Sequence, residues 1–255
     1  MTRKLLICGL LAGFVAGLVA FGFLTVAGEP AVDQAIAYEE ANAPPVPPGV
    51  EEEELVSRDT QKGVGLLTAS TVYGLALGGI FALVFAYAYG RAGRASPART
   101  ALWLAAAAFV VVYLVPFIKY PPNPPAVGDP DTLGERTVLY LVMVWISVLS
   151  AVAAMRLRKG LAERRPAHVA TLLAAAAYLL VVVVAGLALP GIHEIPDTFP
   201  ATTLWRFREA SVGTQLVMWT SIGLVFAATA QRVMTGRPIL SRRAARSGAT
   251  VQGGE

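Results

Sequence analysis

With 255 residues, 55% apolar and only 15% charged, and a mean hydropathy of +0.59, the chain is too apolar for an ordinary soluble domain, which carries about a quarter charged residues. The net charge of +4 is small, and its distribution matters more than its size. A single cysteine, Cys8, excludes a disulfide framework, and the lack of a GxxxxGK[ST] string excludes a phosphate-binding loop.

Six apolar runs follow one another: Leu5–Val26, Val64–Tyr89, Ala101–Ile118, Thr137–Met155, Val169–Leu189 and Ser211–Ala230. None has a charge in its interior. Runs of about 18 residues or more are long enough to cross a bilayer as helices. The expected fold is therefore all-α, one transmembrane domain over 1–240 with about six spans, followed by a disordered basic tail over 241–255.

Arg3 and Lys4 precede the first run in the manner of a secretory signal. The run is longer than the usual signal core of about 7–15 residues, which favours a retained span. Gly9, Gly13 and Gly17 recur every fourth residue and put a bare stripe on one helix face, where another helix can approach closely. Cys8 reads as a small buried hydrophobe. The acidic segment 27–63 opens with Gly28, Glu29 and Pro30, a helix start, and predicts a short helix carrying Glu29, Asp33 and Glu40 on one face. PPVPPGV at 44–50 is stiff and extended, and the four glutamates at 51–54 form a solvated run.

The second run carries Thr68, Ser70, Thr71 and Tyr73, then Gly74 and Gly78 as a second close-packing face. The third is short and contains Pro116. Its outer connection, KYPPNPPAVGDPDTLGER, holds Asp129 and Asp131 on a proline-rigid turn and ends in Thr132 and Glu135, spaced as a capping box for the fourth helix. After the fifth run come His193, Glu194 and Asp197, then LWRFRE, an aromatic and basic interfacial anchor. The sixth run carries Thr214, Gln215, Thr220 and Ser221. Joined in chain order, the runs make three hairpins closed by long acidic, proline-rich loops.

Alternating the spans places Arg3, Lys4, the arginines of RAGRASPART, the bases of RLRKGLAERR and the bases from Arg232 onward on one side, 15 of the 21 basic residues. Fifteen of the 17 acids fall on the other side. The positive-inside rule then puts both termini in the cytoplasm of a bacterial-type inner membrane. A basic inner face suits anionic lipid heads, so the expected partner is the bilayer and not nucleic acid.

No Asp, Glu, Lys, Arg or His lies in a span interior, which argues against a proton- or ion-coupled pump of the usual kind. His168 and His193 lie at opposite ends of the fifth run and cannot ligate one haem within the chain. No nucleophile–base set is visible, so no enzyme activity and no permanently bound cofactor are expected. The candidate ligands for a divalent metal cation are all on the acidic side: Glu29, Asp33 and Glu40; Asp129 and Asp131; His193 and Glu194. Imidazole with carboxylate suits cobalt, nickel, manganese, iron or zinc. A non-transporting scaffold that uses the glycine faces is the other class of reading, and those faces also leave room for an oligomer.

GLLAGFVAGLVAF running into GEPAVDQAIAYEEA, then YLVPFIKYPPNPPAVGDPDT and LPGIHEIPDTFPATTLWRFREASVGTQ, resemble the CbtA-type cobalt transporter subunit family. The resemblance implies a membrane protein that imports cobalt, Co2+ being cargo, in association with cobalamin biosynthesis. It also implies a small single-span partner subunit that carries a histidine-rich metal motif. The family is often described with about five spans, and the six runs here depart from that.

Overall fold

The computed structural model describes residues 1–43, 56–91, 95–125, 127–128, 130–192 and 194–236. Asp129, His193, the 44–50 and 51–54 segments and the 241–255 tail lie outside the described residues. Among the described residues, six helices are long and apolar enough to cross a membrane: Thr2–Asn42, Arg58–Ala88, Pro97–Lys119, Leu133–Ala162, Ala167–Ala188 and Ala201–Met234. No strand occurs among the described residues.

The first helix differs from expectation in its length. The acidic helix Glu29–Asn42 is not a separate element but continues Thr2–Phe23 through a π-helical turn, Leu24–Gly28. Its 41 residues span about 60 Å at 1.5 Å per residue, twice the hydrocarbon thickness of about 30 Å. Residues 29–42 therefore project beyond the apolar stretch. The second helix likewise begins before its apolar run, at Arg58, and passes through a π-turn at Gln61–Gly65. A third π-turn, Phe109–Leu114, lies inside the third helix. The first and third of these turns end two residues before a proline, Pro30 and Pro116. Proline lacks the N–H that an α-helix would use there, so the ladder slips locally.

Of the three expected hairpins, the first and second helices pack as a pair, but the fifth and sixth do not, because the packing partners cross between the expected pairs. The first helix packs on the second and the sixth, and the sixth packs on the third rather than on the fifth. These four share one core: Cys8, Ala12 and Ala16 from the first, Phe81 and Phe85 from the second, Ala101 and Ala105 from the third, Ile222 and Phe226 from the sixth. The fourth and fifth helices pack on each other, joined through the short basic turn, and lean on the outer part of the third. Val115, Tyr120 and Met143 centre that contact. Most of the pair's apolar surface is uncovered, as at Trp145, Leu180 and Leu187, and is available to lipid.

Close approach of the first two helices depends on bare backbone. A Cβ on Gly9 or Gly13 would land on the carbonyl oxygen of Gly78 or Gly74, and one on Gly17 would come within 2.7 Å of the Ser70 carbonyl oxygen. Gly74 and Gly78 are reciprocally blocked by Gly13 and Gly9. In a bilayer, where lipid is as apolar as leucine, such intimate contact is a main source of helix association. At the basic end the third helix is tied by Ser96 Oγ, which accepts from the Arg99 N–H at 3.3 Å, and by Gln231 Oε1, which accepts from the Ala98 N–H at 3.2 Å. The fourth helix starts without its expected capping box: Thr132 holds the N-cap position with no side-chain cap hydrogen bond, because Pro130–Thr132 already turns as a 3-10 segment and feeds directly into it.

Candidate functional site

Described parts of the three acidic-end segments pack on one another as a cap. Ala35 on the projecting helix, Val127 on the second connection and Phe199 on the third form a small apolar core. Tyr38 packs edge-on against Phe199 with ring centres 4.9 Å apart, and its hydroxyl lies 2.6 Å from Thr198 Oγ1. Thr203 Oγ1 donates to Gln34 Oε1 at 3.2 Å.

The acids expected to receive a cation are distributed differently within this cap. Arg58 pairs with both Glu29 and Asp33, the latter at 3.1 Å, and Lys62 reaches Asp33 at 3.0 Å. Two carboxylates thus face two bases, and the cluster offers no uncompensated negative charge. The hydrogen bond from Lys62, assisted by Arg58 and opposed by slight burial, holds the Asp33 carboxyl below the usual carboxylate range. The knot fastens the projecting ends of the first two helices to each other. Glu40 is exposed and lies about 10 Å further along the helix than Asp33. Glu194 pairs with Arg136 at 3.3 Å, and that guanidinium passes over Gly128, whose φ of +113° and missing side chain leave room for it. Asp131 is exposed on the turn into the fourth helix. Among the described residues no three His, Cys, Asp or Glu side chains come close enough to hold a metal ion.

Below the cap a seam of neutral polar groups enters the apolar layer between the four-helix bundle and the fourth–fifth pair. Arg208 Nη2 donates to Asn123 Oδ1 at 3.1 Å, and its Nε donates to the Pro122 carbonyl at 3.4 Å. One turn deeper, the Tyr113 hydroxyl lies 2.8 Å from Ser211 Oγ. Another turn down, Gln215 Nε2 donates to the Tyr73 hydroxyl at 3.3 Å.

A further polar contact, at Ser147, has a reason rooted in Pro116. Val115 N–H bonds to the Val110 carbonyl across the π-turn, and the next nitrogen belongs to proline. The Val111 carbonyl therefore has no backbone donor. Ser147 Oγ donates to it at 2.7 Å, and the Tyr178 hydroxyl lies 2.9 Å from the same Oγ. One fully buried serine links the third, fourth and fifth helices.

The sequence pointed to Tyr73 and Gln215, and to Arg208 only as part of the interfacial anchor LWRFRE, but not to Tyr113, Ser147 or Tyr178. Pro116 was the readable signal, since a proline within a span leaves a carbonyl that some hydroxyl must satisfy. Thr214 and Ser70 donate to carbonyls of their own helices, at 2.7 and 3.1 Å. A family model described as "Probable cobalt transporter subunit (CbtA)" matches residues 2–231. No curated protein and no solved structure matches the chain.

Proposed function

Because this chain belongs to the CbtA family of probable cobalt transporter subunits, we propose that it is the multi-span subunit through which a divalent metal cation, cobalt first among them, is taken up across a bacterial-type inner membrane. The observation that carries the reading is the seam: neutral oxygens from Asn123, Ser211, Tyr113, Gln215 and Tyr73 leading from the cap into the apolar layer. Hydroxyl and amide oxygens can accept hydrogen bonds from a hydrated ion without the desolvation cost of a buried carboxylate. The termini lie in the cytoplasm, so the cap faces outward, and inward movement of positive charge is favoured by roughly 2.3 kcal/mol per unit charge per 100 mV.

Glu29, Asp33 and Glu194 serve the architecture of the cap, since each is matched by a base. The selective ligands are then supplied by a small single-span, histidine-bearing partner subunit. Cobalt is cargo in this reading, and the chain is a transporter subunit without a resident cofactor or enzyme activity. Of the two motives for the scaffold alternative, the glycine face of Gly9, Gly13 and Gly17 is taken up by Gly74, Gly78 and Ser70 of the same chain, while the lack of acidic, basic or histidine side chains within the apolar runs still favours it.

The test is radioactive cobalt uptake into cobalt-starved cells expressing the chain, with and without the single-span partner, against nickel, zinc and manganese as competitors. Saturable uptake that unlabelled cobalt competes best supports the reading, and dependence on the partner places selectivity there. Absence of uptake in both cases, with both proteins present in the membrane, overturns it.

A further inference from the structure

Among the half-buried arginines at the acidic end, Arg58, Arg136 and Arg208, the last is set apart by its partners. Arg58 and Lys62 face Glu29 and Asp33, and Arg136 faces Glu194. Arg208 is held by two neutral oxygens, Asn123 Oδ1 and the Pro122 carbonyl, and no carboxylate pairs with it among the described residues. A charge withdrawn from water without a counter-charge is a burden on the fold, and a neutral amide at this position would relieve it.

Its location gives the burden a use. Arg208 lies three residues, about 4.5 Å along the helix axis, above Ser211, which with Tyr113 forms the next polar step inward. The guanidinium thus occupies the mouth of the seam, and the oxygens that bind it are of the type a hydrated cation would use. A fixed positive charge there also repels any cation that approaches.

Resting on the transport reading above, we propose that Arg208 is the gate of the seam: a tethered cation that occupies the entry site on Asn123 and Pro122, and that must swing away before a divalent cation can enter. The structure is the closed state. The device sets a barrier common to all cations, so the charge, not the exact side chain, is what matters. Arg208→Lys keeps the gate, whereas Arg208→Gln and Arg208→Ala open it.

The experiment measures initial uptake of radioactive cobalt and manganese into cells expressing the full chain with its single-span partner, alongside thermal unfolding of the purified proteins. The gate predicts that Arg208→Gln unfolds at the same temperature as the parent or higher. Its manganese uptake should rise about tenfold, the scale on which local charge changes ion supply. Millimolar guanidinium added outside should slow uptake again in Arg208→Ala but leave the parent protein unaffected, a rescue that no purely structural role would produce. Uptake by the parent with Arg208→Gln indistinguishable from it, or reduced only in step with the amount of folded protein, overturns the gate alone. Absence of uptake by the parent overturns the transport reading and the gate with it.

Discussion

Replacing Ser147 with alanine removes a single oxygen whose loss should be felt across three helices. In the parent protein that oxygen donates to the Val111 carbonyl at 2.7 Å and lies 2.9 Å from the Tyr178 hydroxyl. The carbonyl has no backbone donor to fall back on, because Val115 N–H is committed to Val110 and residue 116 is proline. An orphaned buried acceptor costs about 1–3 kcal/mol, although interhelical hydrogen bonds in membranes average nearer 0.6. A loss of roughly 1–3 kcal/mol corresponds to a fall of about 2–12 °C in unfolding temperature for a chain of this size. The assay is thermal unfolding in detergent, run as a double-mutant cycle with Pro116→Ala. That second change restores an N–H that can serve the carbonyls of the π-turn. Ser147→Ala should therefore cost less in the Pro116→Ala background than alone, with a coupling of about 1 kcal/mol. If the two changes add within experimental error, Ser147 is not standing in for the missing proline donor and the reasoning fails.

Gly13→Ala should destabilise the protein by about 1–3 kcal/mol through overpacking, since the new methyl meets the Gly74 backbone. Gly22→Ala and Gly186→Ala, which meet nothing within 4 Å, should be neutral or stabilising by up to about 1 kcal/mol from helix propensity; the same unfolding assay separates the two classes. The lowered pKa of Asp33 makes a pH prediction. Its contribution is fully present above the ordinary carboxylate value near 3.8 and is lost as pH falls through the lower folded-state value. The stability gap between the parent and Asp33→Asn should therefore be constant at neutral pH and close only at strongly acidic pH, and a gap that closes between pH 5 and 7 would contradict the knot. Neutralising Glu29 and Asp33 together should lower thermal stability while leaving the concentration of cobalt that half-saturates uptake within about twofold, a result expected of matched ion pairs and not of ligands; a tenfold rise would return these acids to the metal path.

Some of this was legible in the residues. The six spans were, because hydrocarbon thickness fixes how long an apolar run must be and the lack of water within it forces each run to satisfy its own backbone as a helix. The spacing of Gly9, Gly13 and Gly17 announced a close approach, and Gly74 and Gly78 offered a matching face. The length of the first helix was less legible, since Gly28 and Pro30 look like a fresh start; a π-turn instead carries the helix through them.

Partner choice came only with the tertiary structure. Lipid and helix surfaces are equally apolar, so hydropathy holds no information about which span meets which, and the sixth helix lies on the first and third rather than on its neighbour in sequence. The carboxylates show the same divide. Glu29 and Asp33 look like a cation-gathering face when only their own helix is considered, yet Arg58 and Lys62 reach them from the next helix and neutralise them. Pro116 stated that a carbonyl would be stranded, but it took the folded chain to bring Ser147 to it, because hydrogen bonds between distant segments depend on how helices pack and not on the order of residues along them.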